Sequence, residues 1–151
     1  MHIYFSGIGG VGIGPLALIA KQAGYEVSGS DIKDSQYIEY LKSQGITQIN
    51  IGQTDGQISA INIDKPIDWF VYSSVLPKTN PNHPELVFCR QNNIRTSKRD
   101  ELLNQIISDK NLKLIAIAGT HGKTTTTAMA IWAFAKMGIK TEKLRYFRLP
   151  L

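Results

Sequence analysis

The 151-residue chain is long enough for about one domain, and its content of 42% hydrophobic and 19% charged residues is typical of a globular protein. Its one cysteine, Cys89, excludes a disulfide framework, and no apolar run approaches the ~20 residues that are needed to cross a bilayer. The net charge of +5 is concentrated in residues 95–151, but the basic residues there are scattered and lack an aromatic stacking motif, so we expect no nucleic-acid partner.

The chain begins with a pattern of strand, glycine loop and helix. His2–Ser6 is of strand type, and a helix is predicted over Gly12–Ala23. The intervening loop satisfies G-x-G-x-x-G and consists of Gly7, Ile8, Gly9, Gly10, Val11 and Gly12. The next strand, Glu26–Ser30, is followed by Asp31, where a dinucleotide-binding fold has its ribose-binding acid. The pattern indicates a site for a nucleotide diphosphate, although an N-cap or turn role explains Asp31 equally well. We expect Gly9→Val to block the diphosphate with little loss of fold.

Strands and helices continue to alternate through the middle of the chain. The predicted elements are a helix over Ser35–Gln44 closed by Gly45, a strand over Thr47–Ile51, turns with at most one helical turn over Gly52–Asn62, a strand over Asp68–Ser73, a helix over Pro84–Asn92, a strand over Ile94–Thr96, and a helix over Ser97–Ile107 opened by a capping box of Ser97 and Asp100. This alternation predicts an α/β fold, a Rossmann-like parallel sheet with helices on both faces.

Further candidate site residues follow the later strands, because ligands of such folds bind at the carboxyl ends of the strands. Ser73 and Ser74 follow an apolar strand and precede Pro77, so we expect them to line the same crevice as the glycine loop. A strand-terminal turn with local hydroxyl bonds is the alternative. Arg99 is either a ligand contact or a solvated surface charge, and His83 is expected at the surface.

A second phosphate-binding pattern lies near the other end of the chain. The apolar run Leu112–Ala118 is predicted to be a strand, and a helix is predicted from Lys123. The predicted ATP-binding loop comprises Gly119, Thr120, His121, Gly122, Lys123, Thr124 and Thr125. Its backbone N–H groups and the helix dipole favour an anion, Lys123 can reach terminal phosphates, and the Thr124 hydroxyl can ligate Mg²⁺. Ile117 occupies the first glycine position of the usual P-loop, so the loop is a variant.

The two loops together resemble the N-terminal end of the Mur ligases, the ATP-dependent ligases that build the peptidoglycan stem peptide. The resemblance covers residues 1 to about 140 and is carried by FSGIGGVGIGPLA at Phe5–Ala17, GYEVSGSD at Gly24–Asp31, VYSSVLPKTNPNHPEL at Val71–Leu86, KRDELL at Lys98–Leu103 and AGTHGKTTTTAM at Ala118–Met129. The GIGG and SGSD segments resemble the alanine-adding branch, and the murein-peptide recycling branch is the alternative.

This resemblance implies substrates, cofactors and residue roles. It implies that L-alanine is joined to the carboxylate of UDP-N-acetylmuramate through an acyl phosphate, with ATP and Mg²⁺. The implied UDP-substrate residues are the Gly7–Gly12 loop, Asp31, Ser73, Ser74 and Arg99, the last of which matches a family arginine. Lys123 and Thr124 are the implied catalytic residues, and Thr124 is an implied metal ligand.

The resemblance also implies a division of the chain. Residues 1–108 are expected to form a UDP-sugar-binding domain, residues 109–111 a linker, and residues 112–151 an incomplete start of an ATP-binding central domain. The family's Mg²⁺-binding glutamate, its carbamylated lysine and its C-terminal domain belong to segments absent here. We therefore expect no ligation by this chain alone, and possible self-association through the apolar segment 112–138.

Two interpretations from other classes remain open. An NAD-dependent oxidoreductase would use the glycine loop and Asp31 equally well, but it has no need for a second, triphosphate-type loop. A non-catalytic UDP-sugar-binding module is the other alternative. The N-terminus is a strand that leads into a glycine loop and is unlike a signal peptide, so a cytoplasmic protein is expected.

Overall fold

The computed structural model describes residues 1–74 and 76–138, and these contain a five-stranded parallel sheet in the order β3-β2-β1-β4-β5. The strands are β1 (His2–Ser6), β2 (Glu26–Asp31), β3 (Ile49–Ile51), β4 (Trp69–Tyr72) and β5 (Arg95–Lys98). The helices are α1 (Gly14–Gln22), α2 (Gln36–Ser43), α3 (Asp55–Asp64), α4 (Leu76–Thr79), α5 (Pro84–Gln91), α6 (Arg99–Asp109) and α7 (Lys123–Lys136).

Apolar residues are buried on both faces of the sheet, because successive side chains of a strand point to opposite faces. On one face, Ile3 and Phe5 of β1 belong to a core cluster with residues of α1 and α6. On the other face, Tyr4 and Phe70 belong to a second cluster with residues of α3 and α5. The predicted α/β fold, a Rossmann-like sheet with helices on both faces, is confirmed.

The order of the strands reverses between β1 and β4. Ile3 of β1 pairs with Val27 of β2 on one side and with Trp69 of β4 on the other. The chain moves outward from β1 through β2 to β3, and then returns to β4 on the opposite side of β1. The connections that leave the carboxyl ends of β1 and β4 therefore diverge, and such a reversal point is where open α/β sheets bind ligands.

Local signals define the ends of the early helices as predicted. Gly24 follows α1 with φ +90° and Gly45 follows α2 with φ +86°, a left-handed conformation that glycine adopts without steric cost. Ser35 caps α2, because its hydroxyl accepts a hydrogen bond from the backbone N–H of Ile38. Both helices end within one residue of the predicted ends.

Two predictions about helix starts are wrong. The segment predicted as turns contains the ten-residue helix α3, which begins with a capping box formed by Thr54 and Gln57. The capping box predicted for Ser97 and Asp100 is absent, because Ser97 lies in β5. Its hydroxyl accepts a hydrogen bond from Trp69 Nε1 at 2.8 Å and donates one to the carbonyl oxygen of Lys98, so it is not available to cap α6.

The predicted strand at Leu112–Ala118 is not observed. A parallel strand is held by hydrogen bonds to its neighbours, and no strand within residues 1–74 and 76–138 pairs with this segment. The helix predicted from Lys123 is present as α7. The part of the predicted second domain after residue 138 lies outside the described residues, and the division into domains remains a prediction.

Candidate ligand-binding sites

The glycine loop is fixed to the neighbouring strand by backbone hydrogen bonds. The N–H groups of Gly7 and Ile8 donate to the carbonyl oxygen of Ser30 at 2.8 and 2.9 Å. Gly7 has φ +75°, which directs the chain out of β1 and into the loop. The N–H groups of Val11 and Gly12 have no acceptor in the described part of the chain, and no side chain caps α1. Unpaired N–H groups before an uncapped helix form a suitable place for an anion.

Asp31 lies against this loop. Its Oδ2 atom accepts a hydrogen bond from the backbone N–H of Gly9 at 2.8 Å, and its Oδ1 atom accepts one from the N–H of Lys33 at 3.3 Å. The N-cap of α2 is Ser35, so Asp31 does not cap that helix, whereas its bond to the N–H of Lys33, two residues on, is of the kind that the turn alternative predicts. The carboxylate therefore lies beside the loop at the carboxyl end of β2, where the sequence predicts a sugar-binding acid.

Arg99 also reaches the glycine loop. It is the first residue of α6 and its side chain is half-buried. A Cβ atom built on Gly12 would lie 2.3 Å from Arg99 Nη1, so the guanidinium group lies directly against this glycine. No carboxylate of the described residues forms an ion pair with it. The arrangement places an unpaired positive charge beside the N–H groups that face a possible diphosphate.

Ser73 and Ser74 leave the carboxyl end of β4, on the other side of the reversal point. Ser73 is half-buried and Ser74 is exposed. The carbonyl oxygen of Ser73 accepts a hydrogen bond from the N–H of Leu76, which starts α4. The structure thus brings the glycine loop, Asp31 and Arg99 into contact and places the two serines at the end of the adjacent strand.

Sequence reasoning missed a set of buried polar side chains below this edge of the sheet. His83, which was expected at the surface, is only 6% exposed and is the N-cap residue of α5. Glu85, in the first turn of α5, is fully buried, as is Tyr4 of β1. The available signal in the sequence was the position of His83 and Glu85 at the start of a helix that follows a strand-end loop. Their burial could not be predicted from it, because burial depends on residues far away in the chain.

The second loop has the shape of an anion site at a helix N-terminus. Gly119 and Gly122 have φ values of +153° and +78°, and α7 begins at Lys123 without a side-chain cap. Lys123 Nζ donates hydrogen bonds to the carbonyl oxygens of Gly119 and Thr120 at 2.6 and 3.1 Å. The ammonium group is therefore held over the loop. Thr124 and Thr125 lie in the uncapped first turn, so these residues fit the phosphates of a nucleotide and, at Thr124, a hydroxyl ligand for Mg²⁺.

The part of the chain that the structure describes contains no cluster of metal-binding side chains. No group of three or more His, Cys, Asp or Glu side chains within residues 1–74 and 76–138 is arranged to hold a metal ion. A Mg²⁺ ion at Thr124 would therefore need the phosphates of its nucleotide and ligands from outside these residues.

The segment that carries this loop has a strongly apolar surface. Leu114 and Ile115 are 62% and 63% exposed, and α7 contains no buried residue. On α7, Met129 and Trp132 are 66% and 64% exposed. An exposed apolar surface of this kind is typical of a segment that packs against another surface.

The described residues include no helix of the length and apolar character that a membrane span requires.

The model of the Mur ligase family, catalytic domain, matches residues 2–111. The UDP-N-acetylmuramate–L-alanine ligase of Clostridium acetobutylicum is 41% identical over 127 residues, which are 84% of this chain and 25% of the relative. The enzyme of the same name from Agathobacter rectalis is 42% identical over 129 residues, 85% of this chain and 26% of the relative. The chain spans about a quarter of the length of these curated relatives.

Two solved structures are similar in fold. The UDP-N-acetylmuramate–alanine ligase of Thermotoga maritima superimposes with a TM-score of 0.75 at 29% identity, over 91% of this chain and 30% of that chain. A murein peptide ligase from Psychrobacter arcticus superimposes with a TM-score of 0.78 at 28% identity, over 91% of this chain and 27% of that chain.

Proposed function

Because the chain belongs to the Mur ligase family, we propose that it forms part of an ATP-dependent ligase that joins L-alanine to the carboxylate of UDP-N-acetylmuramate. The observation that carries this proposal is the presence of two different sequence patterns typical of phosphate-binding loops, at Gly7–Gly12 and Gly119–Thr125, in one chain. The names of the curated relatives support this substrate pair over that of the murein-peptide recycling ligase. We also propose a cytoplasmic location.

The first loop is proposed to bind the UDP part of the substrate. The free N–H groups of Val11 and Gly12 would donate to the diphosphate, and the Arg99 guanidinium would supply positive charge beside it. Asp31 would accept hydrogen bonds from sugar hydroxyls while it holds the N–H of Gly9. Ser73 and Ser74 would bind from the adjacent strand end.

The second loop is proposed to bind ATP. Lys123 would neutralise charge on the terminal phosphates, since its ammonium group is already held over the loop. The N–H groups of the uncapped first turn of α7 would donate to phosphate oxygens, and the Thr124 hydroxyl would face the metal. When bound, Mg²⁺ would supply charge neutralisation at the transferring phosphoryl group.

The proposed reaction has two steps. The muramoyl carboxylate attacks the γ-phosphorus of ATP, which forms an acyl phosphate and releases ADP. The amine of L-alanine then attacks the acyl carbon, loses a proton and expels phosphate, which forms the amide bond. This chemistry needs positioned positive charge and N–H donors more than a protein nucleophile, and the second loop would offer these groups.

A panel of ligands tests the first half of the proposal. The melting temperature of the purified chain should rise with UDP-N-acetylmuramate and, by a smaller amount, with UDP, because a ligand at 100 times its dissociation constant stabilises by about 2.7 kcal/mol. Arg99→Ala is the matched variant, and its shift should be smaller. Stabilisation by NADH without stabilisation by UDP-N-acetylmuramate would replace this proposal with a dinucleotide-dependent one.

A second experiment tests the ATP loop. In a full-length ligase that carries this loop, Lys123→Ala should reduce turnover by about 10²- to 10³-fold, on the scale of losing one positioned group that stabilises developing charge. Thr127→Ser is a suitable control, because the Thr127 hydroxyl donates its hydrogen bond to the carbonyl oxygen of Lys123 within the helix and serine keeps this donor. Turnover near that of the parent enzyme would remove Lys123 from the mechanism.

A further inference from the structure

A connected set of buried polar side chains lies directly below the glycine loop. We call Tyr4, Ser6, Gln53, His83 and Glu85 the buried polar network. Tyr4 and Glu85 are fully buried, and the other three are between 3% and 6% exposed. Tyr4, Ser6 and Glu85 lie on the face of the sheet opposite to α1, next to the second core cluster. Burial of so many polar groups is costly unless they bond to one another.

The Glu85 carboxylate is the centre of this network. Its Oε1 atom accepts a hydrogen bond from the Tyr4 hydroxyl at 2.7 Å, and its Oε2 atom accepts one from the Ser6 hydroxyl at 2.7 Å. Burial, together with the nearby Glu85 charge, raises the pKa of Tyr4 above its ordinary value, so the phenol remains a donor. Gln53 Nε2 donates to Ser6 Oγ at 3.0 Å, and its Oε1 atom lies 3.3 Å from His83 Nε2.

Each member of the network belongs to a chain segment that borders the proposed UDP site. Ser6 directly precedes Gly7 and the glycine loop. Gln53 follows β3 and has φ +60°, a left-handed conformation that is uncommon for a residue other than glycine. His83 and Glu85 lie at the end of the segment that begins with Ser73, so the network as a whole joins three of the connections at the carboxyl edge.

The placement of the network argues for a role beyond packing. Deeper on the same face the contacts are apolar, among them Ile58, Phe70 and Leu86. An apolar cluster would stabilise the fold equally well or better, because replacing buried charged groups by well-packed apolar ones is often neutral or stabilising. The polar groups occur where the glycine loop and the serine segment must be held in a fixed relation.

We propose that Glu85 is a positioning residue, which acts through Ser6 on the glycine loop and through the start of α5 on the segment that carries Ser73 and Ser74. The proposal rests on the proposed function only in the identity of the ligand, a UDP-linked sugar. Glu85 itself makes no contact with the substrate. Its role is to hold the groups that bind the diphosphate in their binding geometry before the ligand arrives.

Ser6→Ala and Ser28→Ala form a matched pair that tests this role. Ser6→Ala removes the 2.7 Å hydrogen bond to Glu85 and the 3.0 Å hydrogen bond from Gln53 at the carboxyl edge, and Ser28→Ala removes a 2.7 Å contact with His2 Nε2 at the amino edge. Both serines are buried and both lie in strands of the same sheet. Both variants should lose stability, Ser6→Ala by somewhat more because it loses one hydrogen bond more, and only Ser6→Ala should disturb the loop.

Titration calorimetry of the full chain with UDP-N-acetylmuramate should show binding about tenfold weaker for Ser6→Ala and Glu85→Gln, on the scale of one lost hydrogen bond to a charged group. Ser28→Ala should bind within about twofold of the parent chain, because a change that shares no partner with the binding site leaves the free energy of binding nearly unchanged. Equal weakening in Ser6→Ala and Ser28→Ala would overturn the proposal, since it would reduce the network to a structural role.

Amide hydrogen exchange without ligand provides a readout that does not depend on UDP binding. The N–H groups of Gly9 and Gly10, which bond to Asp31 and to the carbonyl oxygen of Gly7, should exchange about tenfold faster in Ser6→Ala than in Ser28→Ala. Equal exchange in the two variants would also overturn the proposal. If the parent chain fails to bind UDP-N-acetylmuramate, the proposed function fails, while the exchange rates still decide the positioning role. Ser6→Ala keeps the test decisive if Glu85→Gln does not fold.

Discussion

The contact between Gly12 and Arg99 allows a sharp test of the proposed diphosphate site. A methyl group at position 12 would meet Arg99 Nη1 at 2.3 Å, and its next contact, with Arg99 Cζ, is 3.6 Å away. Because the obstacle is the far end of a flexible side chain, Gly12→Ala should displace the guanidinium group and leave the backbone in place. Gly12 is outside the left-handed region, so alanine adds no backbone strain there.

The magnitude of the effect follows from what is displaced. A hydrogen bond between charged groups contributes about 1.5–3 kcal/mol, so loss of Arg99 from the diphosphate should weaken binding about 10- to 150-fold. Gly14→Ala is the contrasting variant, since its methyl group would lie 2.6 Å from the backbone oxygen of Ile8 and 2.2 Å from Tyr37 Cε1. It should cost about 1–3 kcal/mol of folding stability by overpacking, whereas Gly12→Ala should leave the melting temperature nearly unchanged.

A double-mutant cycle separates this mechanism from direct obstruction of the ligand. Dissociation constants for UDP-N-acetylmuramate are measured for the parent chain, Gly12→Ala, Arg99→Ala and the double variant. If Gly12→Ala acts by displacing Arg99, the double variant should bind as Arg99→Ala does, with a coupling energy close to the effect of the single change. Additive effects would refute the argument, because they would mean that the methyl group blocks the ligand itself.

Three further predictions follow from burial and exposure. Gly9→Val should abolish UDP-sugar binding and, contrary to the expectation of little loss of fold, should also lower the free energy of unfolding by about 1–3 kcal/mol in urea titration. The reason is that its Cβ would lie 2.9 Å from Asp31 Oδ2 and 3.0 Å from Cγ1 of the buried Ile38. Unchanged stability would contradict this prediction. Burial raises the pKa of Cys89 from 9.0 to about 12, so iodoacetamide at neutral pH should label the thiol only after unfolding. For the same reason, the free energy of unfolding should decline as pH rises from 9.0 towards about 12. Rapid labelling of the folded chain would refute the burial of this thiol. The exposed apolar residues of 112–138 should cause concentration-dependent association in light scattering, and a strict monomer at high concentration would exclude it.

Features that depend on neighbouring residues were predictable from the sequence. The strand before the first glycine loop, the glycine after α1 and the start of α7 at Lys123 all follow from short patterns, and the structure places them as predicted. The capping box of Thr54 and Gln57 was also present as a local pattern, but α3 was not predicted; Gly56 in its first turn lowers the intrinsic helix propensity of the segment. Its burial against the second core cluster through Ile58 and Ile61 supports the helix there.

Other outcomes depended on residues that lie far apart in the chain. Ser97 has the sequence signature of a helix cap, but the indole of Trp69 engages its hydroxyl instead. Leu112–Ala118 has the apolar character of a strand, but strand formation requires a hydrogen-bonded neighbour, which no described residue supplies. Apolar character is local, whereas pairing is a property of the assembled sheet.

The same distinction applies to the candidate site. The sequence by itself determined the candidate groups, because two glycine loops and a lysine with threonines at a helix start are local patterns that predict phosphate contacts, and an acid after β2 predicts a sugar contact. Only the tertiary structure decided which of these groups meet: it placed Asp31 on the N–H of Gly9 and Arg99 against Gly12. It also buried Glu85 beneath Ser6, which lies 79 positions earlier in the chain. The parallel sheet brings the carboxyl ends of distant strands to one edge, and no short sequence pattern encodes that proximity.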